Sequence, residues 1–288
     1  MEILLHNNLQ LNSKHGEGRP FLYDIRYPEG ESKLPVLVFV HGFKGFKDWG
    51  VFNIMAERLA RAGYLVAKLN LSHNGTTPEK PSDFADLEAF GNNNFSIELD
   101  DLDVLLTELV KPSQVWSSRI EQEKIGLIGH SRGGSLALLK AGHDNRIKAV
   151  VSLAAVADLT TRYPEPVLEQ WEKQGVIHVE NSRTGQQMPL YYQLVEDFKA
   201  QPQKFSIHQA LSKYKVPALF VHGTADSSVP VTDLHKLKQW YPKADTLLID
   251  GADHTFGGKH PWPHDSLPAD FAKVNDKMVS FFNEALKN

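Results

Sequence analysis

The chain has 288 residues, 41% of them hydrophobic and 23% charged, a formal net charge of -4 and no cysteine. That balance is that of an ordinary soluble globular protein without a basic footprint for nucleic acid, and it excludes a disulfide framework and thiolate catalysis. No window approaches the ~20 apolar residues that span a bilayer, and the start, Met1-Glu2-Ile3-Leu4-Leu5-His6, lacks the basic and apolar regions of a secretory leader, so the expected location is cytoplasmic, away from membranes.

In chain order, residues 1 to 30 read as antiparallel edge strands leading into a parallel core. The run Val36-Leu37-Val38-Phe39-Val40 is continuously apolar, as in a strand buried on both faces. Comparable runs follow at Tyr64 to Leu71, Lys124 to Ile128, Ile147 to Val156, Pro217 to Val221 and Thr246 to Ile249. Amphipathic helices lie between them. Phe52, Met55, Ala56 and Leu59 share one helical face, with Gly63 placed to end it, and Leu102, Leu105, Leu106 and Leu109 repeat the spacing. The acidic residues Glu98, Asp100, Asp101 and Asp103 read as a solvated face near a helix N-terminus. Val274, Met278, Phe281 and Phe282 form a last stripe on a C-terminal helix. Strands alternating with helices predict an α/β fold, a mostly parallel sheet covered on both faces.

One stretch breaks the rhythm. Residues 158–213 are far more than a crossover helix requires and read as a cap-like insertion after the sixth strand; 1–157 and 214–288 form the core. The insertion reads as a helix around Leu168 and Trp171 and a hairpin from Val176 to Met188, turning near Asn181 to Gly185. A helix around Leu194, Val195 and Phe198 follows.

The chemistry is signalled at Gly129-His130-Ser131-Arg132-Gly133, a G-x-S-x-G sequence that follows an apolar strand and opens the helical run Leu136, Leu138, Leu139. A serine on so tight a strand-to-helix turn needs small neighbours two residues away on each side, because larger side chains would collide with strand and helix. A serine hydroxyl is a weak nucleophile near neutral pH and requires a base, itself held in the right tautomer by an acid. Around such a turn the chain order is Ser, then Asp or Glu, then His. Downstream, one strand ends in His222-Gly223-Thr224-Ala225-Asp226 and the next in Asp250-Gly251-Ala252-Asp253-His254. Ser131 is thus the expected nucleophile, His254 the base and Asp226 its orienting acid. Asp158, Asp250 and Asp253 are the competing carboxylates. The strand Val36 to Val40 ends in His41-Gly42-Phe43-Lys44-Gly45, whose loop should complete an oxyanion site from the backbone N–H groups of Phe43 and Arg132, with His41 bracing the loop.

These motifs resemble the α/β-hydrolase superfamily. Tyr27-Pro28-Glu29-Gly30 leading into Leu34 to Gly42, His222 to Asp226 followed by Val229-Pro230, and Asp253-His254-Thr255-Phe256 are similar to its dienelactone-hydrolase, acyl-esterase and prolyl-oligopeptidase-like branch. The resemblance covers nearly the whole chain outside the insertion. It implies an α/β-hydrolase fold and a serine hydrolase that cleaves a small carboxylic ester through an acyl-enzyme, without a cofactor. A dienelactone hydrolase proper uses a cysteine nucleophile, which this chain lacks. A serine peptidase is the alternative, although a chain of this length has no room for a propeller domain. A non-catalytic binding protein on the same fold is disfavoured by the intact serine, acid, base and glycines.

Insertions after the sixth strand often cap the active site in this superfamily, so Trp171 and Tyr191 are candidate pocket residues, with Tyr192 and Phe198 beside them; all four could equally form a small core of their own. Lys44, Lys47, Arg132 and Lys259 lie on or near site loops and would favour an acidic substrate. His260, His264 and Asp265 make too poor a constellation for a metal, and none is expected.

Overall fold

The computed structural model describes residues 2–30 and 32–287. The chain begins with β1 (Ile3–Asn12), β2 (Pro20–Pro28) and β3 (Leu34–Val40), followed by α1 (Phe52–Arg61) and β4 (Leu65–Leu69). A short α2 (Leu87–Gly91) and the long α3 (Phe95–Leu109) lead to β5 (Ile120–His130), α4 (Arg132–His143) and β6 (Ile147–Leu153). The stretch after β6 holds α5 (Glu165–Gln174), β7 (Val176–Glu180), β8 (Gln187–Tyr191), α6 (Gln193–Ala200) and α7 (Ile207–Ser212). The core resumes with β9 (Ala218–Gly223), α8 (Thr232–Trp240), β10 (Asp245–Ile249) and α9 (Ala269–Phe282).

Eight strands form one sheet in the order β1-β2-β4-β3-β5-β6-β9-β10. The first two junctions are antiparallel and the rest parallel, so the antiparallel edge lies where the sequence placed it. Side chains alternate across a strand, which explains why β3 is apolar throughout. Val36, Val38 and Val40 pack with Leu102 and Leu105 of α3 and with Leu136 of α4. Leu37 and Phe39 pack on the opposite face with Met55 and Leu59 of α1 and Met278 and Phe282 of α9. The parallel strands therefore point their carboxyl ends to one rim, where the loops after β3, β5, β9 and β10 meet. The 158–213 segment adds a separate two-stranded sheet of β7 and β8, with its turn at residues 181–186.

The loop after β3 is tied to the sheet by buried charge. Lys47 Nζ donates to Asp24 Oδ2 at 2.8 Å and to Asp48 Oδ2 at 2.5 Å, while Lys68 Nζ reaches Asp48 Oδ1 at 2.7 Å and Asn53 Oδ1 at 2.7 Å. The side chains of Asp24, Lys47 and Lys68 are almost wholly buried. Lys47 is thus a structural cation, which corrects its reading as a residue that would attract an acidic substrate.

The acidic run on α3 is a second correction. Glu98 and Asp101 are buried, Asp101 accepting from Ser13 Oγ at 2.6 Å and from the Ser72 N–H at 2.7 Å. Asp100 and Asp103 stand at the margin, paired with His15 and with Lys14, Lys140 and Arg146. The sequence pattern showed a helix face, but the chain around Ser13 and Ser72 folds over that face.

Removing one partner of the buried cluster leaves charge without compensation. Asp24→Ala should lower the free energy of unfolding by about 3–5 kcal/mol, read from urea denaturation; a loss below 1 kcal/mol would mean that the cluster is solvated.

Candidate active site

β5 ends at His130 and α4 begins at Arg132, so Ser131 alone turns the chain, with φ 55° and ψ -124°. Positive φ at a non-glycine residue costs of order 1–3 kcal/mol and persists only where the surroundings over-determine it. Here they do. The Ser131 N–H donates to the Leu153 carbonyl at 2.8 Å, and its own carbonyl accepts from the Gly134 N–H at 2.9 Å. A Cβ on Gly129 would stand 2.0 Å from the Gly133 carbonyl oxygen. On the loop after β3, a Cβ on Gly42 would stand 2.9 Å from that of Ser131. The glycines at these places therefore permit backbone contact on two sides of the serine.

His254 follows β10 and Asp226 follows β9. Their side chains meet, His254 Nδ1 lying 2.7 Å from Asp226 Oδ2. Asp226 is buried and well used: Oδ1 accepts from the N–H groups of Ser228 at 2.8 Å and Val229 at 2.9 Å, and His222 Nε2 lies 3.3 Å from Oδ2. Burial works to raise its pKa, but the hydrogen bonds from His222, His254 and Val229 outweigh it and hold the carboxyl well below the usual carboxylate range. The competing carboxylates are engaged elsewhere. Asp158 accepts from Thr160 and Thr161, Asp250 from Thr224, and Asp253 from Thr255 and Gly257.

Ser131 and His254 line one cavity of about 380 Å³, together with Gly42, Phe43, Trp49, Phe52 and His130. No hydrogen bond joins Ser131 Oγ to His254 among the described residues. Such bonds are often long without substrate and tighten when it binds. The Phe43 and Arg132 N–H groups have no acceptor among the described residues, as expected of a loop end and of a first helical position. Arg132 is not itself part of the cavity lining; its guanidinium lies 4.2 Å from the Phe43 ring centroid and 3.5 Å from Glu98 Oε1, so it is a clamp on the loop rather than a free cation.

Two neutral histidines brace the site. His41 Nδ1 donates to the Gly42 carbonyl at 2.8 Å, while its Nε2 accepts from the Leu71 N–H at 3.2 Å. His130 Nε2 lies 2.9 Å from the His254 carbonyl, which can only accept, so the proton is on Nε2. Burial pushes their pKa values down to about 4 for His41 and about 3 for His130.

The two aromatic pocket candidates lie elsewhere. Trp171 is fully buried, its Nε1–H donating to the Leu190 carbonyl at 2.8 Å and its ring packed on Tyr163 and Tyr192. Tyr191 packs over Gly91 and its hydroxyl donates to Glu88 Oε2 at 2.5 Å. Trp171 is part of the buried core and Tyr191 seats its segment on α2, and neither lines the cavity, which corrects their assignment to the pocket. Segment 158–213 reaches the cavity instead through its hairpin turn, with Asn181, Ser182 and Arg183. The sequence locates that turn but carries no signal for where it points.

A family model described as alpha/beta hydrolase fold matches residues 35–206. The chain belongs to the α/β-hydrolase fold family. It is 25% identical over 258 residues to "Putative esterase YitV" of Bacillus subtilis (strain 168), covering 85% of this chain and 92% of that protein. It is 23% identical to the sn-1-specific diacylglycerol lipase ABHD11 of Mus musculus, covering 91% and 86%. Among solved structures it shares its fold with Est1E from Butyrivibrio proteoclasticus in complex with ferulic acid, at a TM-score of 0.73 and 17% identity, covering 97% of this chain and 100% of the other. Among the described residues, no helix is long and apolar enough to cross a membrane, and no group of three or more His, Asp or Glu side chains could hold a metal ion.

The buried histidines make stability depend on pH. His41, His130 and His73, the last also pushed down to about 4 by burial, stay neutral in the folded chain and gain protons only on unfolding. Their stabilisation is full above pH 6.5 and is lost as pH falls. Asp101, raised by burial to about 6, and Glu98, also raised by burial, act in the opposite sense. His143 and His260 are lowered by burial as well, so the depressed histidines outnumber the two raised carboxylates and the free energy of unfolding should fall as pH is lowered from 6 to 5. Denaturant titrations at fixed pH measure this slope, and a flat or rising profile would mean the histidines are charged when folded.

Proposed function

We propose that the protein is a serine hydrolase that cleaves a small-molecule carboxylic ester through an acyl-enzyme on Ser131. The observation that carries this reading is the 2.7 Å contact between His254 Nδ1 and Asp226 Oδ2 beside a cavity that Ser131 also lines. With Nδ1–H committed to the carboxylate, the neutral imidazole presents a basic Nε2. Ser131 Oγ attacks the ester carbonyl as His254 takes its proton. The Phe43 and Arg132 N–H groups stabilise the resulting oxyanion, each worth roughly 2.7–4 kcal/mol of barrier. His254 then protonates the departing alcohol. Water, deprotonated by the same imidazole, attacks the acyl-serine and releases the acid, which returns Ser131 to its starting state. The cycle uses protein groups and water alone, so no cofactor enters it. The esterase and lipase named among the relatives support ester chemistry. Residues 158–213 act as a partial cap, their hairpin turn closing one side of the cavity.

Three substitutions test the roles together on 4-nitrophenyl acetate. Asp226→Asn should lower kcat by about 10⁴-fold and Ser131→Ala by about 10⁶-fold. Asp158→Asn should cost less than about tenfold, since no bond to the base is lost. Turnover retained by Ser131→Ala would end the acyl-enzyme reading, and a larger loss at Asp158 than at Asp226 would move the acid to the loop after β6.

A further inference from the structure

The cavity beside Ser131 is basic in an acidic protein. Lys44, Arg183 and Lys259 line it, and no aspartate or glutamate does, although the chain carries a formal net charge of -4. Lys44 is spoken for: its Nζ donates to the Glu180 carbonyl at 2.9 Å and ties the loop after β3 to the end of β7. Arg183 and Lys259 are different. Neither side chain has a hydrogen-bond or ion-pair partner among the described residues. They come from two segments of the lining, Arg183 from the turn between β7 and β8 and Lys259 from the loop after His254. The charge of Arg183 is felt at His260, the neighbour of Lys259.

A second observation on the Arg183 turn is independent of charge. Asn181 lines the cavity with 6% of its surface exposed, and its Nδ2 has no acceptor. Its orientation is fixed, because Oδ1 accepts from the Arg183 N–H at 3.2 Å; a flipped amide would set two donors against each other. A buried donor left without a partner costs about 1–3 kcal/mol. Nδ2 itself is covered, so the amide does not meet a ligand; its part is to fix the Arg183 backbone through Oδ1. The turn is also held in place, since Gln186 Nε2 donates to the Phe84 carbonyl at 3.1 Å.

We propose that the preferred substrate is an ester bearing a second, anionic group, a carboxylate or a phosphate, received by Arg183 and Lys259. This rests on the ester-hydrolase reading above and names its substrate class. Phe43, Trp49 and Phe52 give the same cavity an apolar side for the chain between ester and anion. The charges are exposed enough for salt to screen them, so the preference weakens as ionic strength rises.

The test uses three 4-methylumbelliferyl esters of equal chain length: the neutral hexanoate, the adipate monoester and the 6-phosphonooxyhexanoate. Wild-type kcat/KM should be about tenfold higher for an anionic ester than for the neutral one, and whichever anion leads identifies the source. In the double variant Arg183→Gln, Lys259→Gln that ratio should fall to near one, while Lys111→Gln, a surface control remote from the cavity, keeps it. Calorimetry with the Ser131→Ala protein and the same esters reads the preference without turnover. Neutral and anionic esters bound and cleaved alike, or a ratio unmoved by the double variant, would overturn the proposal while leaving the ester-hydrolase reading intact. Absence of turnover in the wild type, with an anionic preference kept in the calorimeter, would sink that reading and leave anion recognition standing.

Discussion

Ser131 can stand clear of the sheet because strand, helix and the loop after β3 approach one another at backbone distance around it. The space for a Cβ at Gly129 is already taken by the Gly133 carbonyl, and at Gly42 by the Ser131 side chain itself. Those contacts hold the serine at φ 55°, a conformation that it would leave if the neighbours relaxed. They also bring the first position of α4 beside the loop that carries Phe43. The cost of this turn is met by the sheet behind it, whose β3 and β5 are buried on both faces.

Around that turn the rim is organised by groups that do not react. His130 holds the His254 carbonyl, His41 fixes the Gly42 carbonyl, and His222 shares the Asp226 carboxylate with His254. Behind them, Lys47 anchors the loop after β3 to Asp24 in β2, and Arg132 stacks on Phe43 while facing buried Glu98. Neutral His41 and His130 and the paired charges below them hold the backbone of the site loops in place. Arg183 and Lys259, on the hairpin turn and the loop after His254, line the same cavity as the serine.

Much of this was legible in the sequence because local pattern and global fold agree there. The alternation hidden in Val36 to Val40, the glycines flanking Ser131 and the strand-end positions of Asp226 and His254 follow from sterics that act over a few residues. What the sequence withheld depends on which segments fold over one another. Glu98 and Asp101 look solvated on a helical wheel, yet Asp101 is buried where the chain around Ser13 and Ser72 crosses it, and Glu98 faces Asn93 and Arg132. Lys47 and Lys68 look like surface lysines until Asp24 and Asp48 are placed between them. Trp171 and Tyr191 were aromatic and on the insertion, yet polar Asn181, Ser182 and Arg183 are the part of it that reaches the cavity. Trp171 is spent on packing against Tyr163 and Tyr192, and Tyr191 on Gly91 and Glu88, which leaves the polar turn to line the cavity.

The central claim is that the strained serine between β5 and α4 is the nucleophile that His254 activates. The most direct measurement is mass spectrometry of the protein after reaction with a fluorophosphonate. One adduct should form per chain, on the peptide that contains Ser131, and His254→Ala should slow its formation by orders of magnitude without unfolding the protein. An unmodified Ser131 peptide in folded protein, or an adduct on a different serine, would contradict the account.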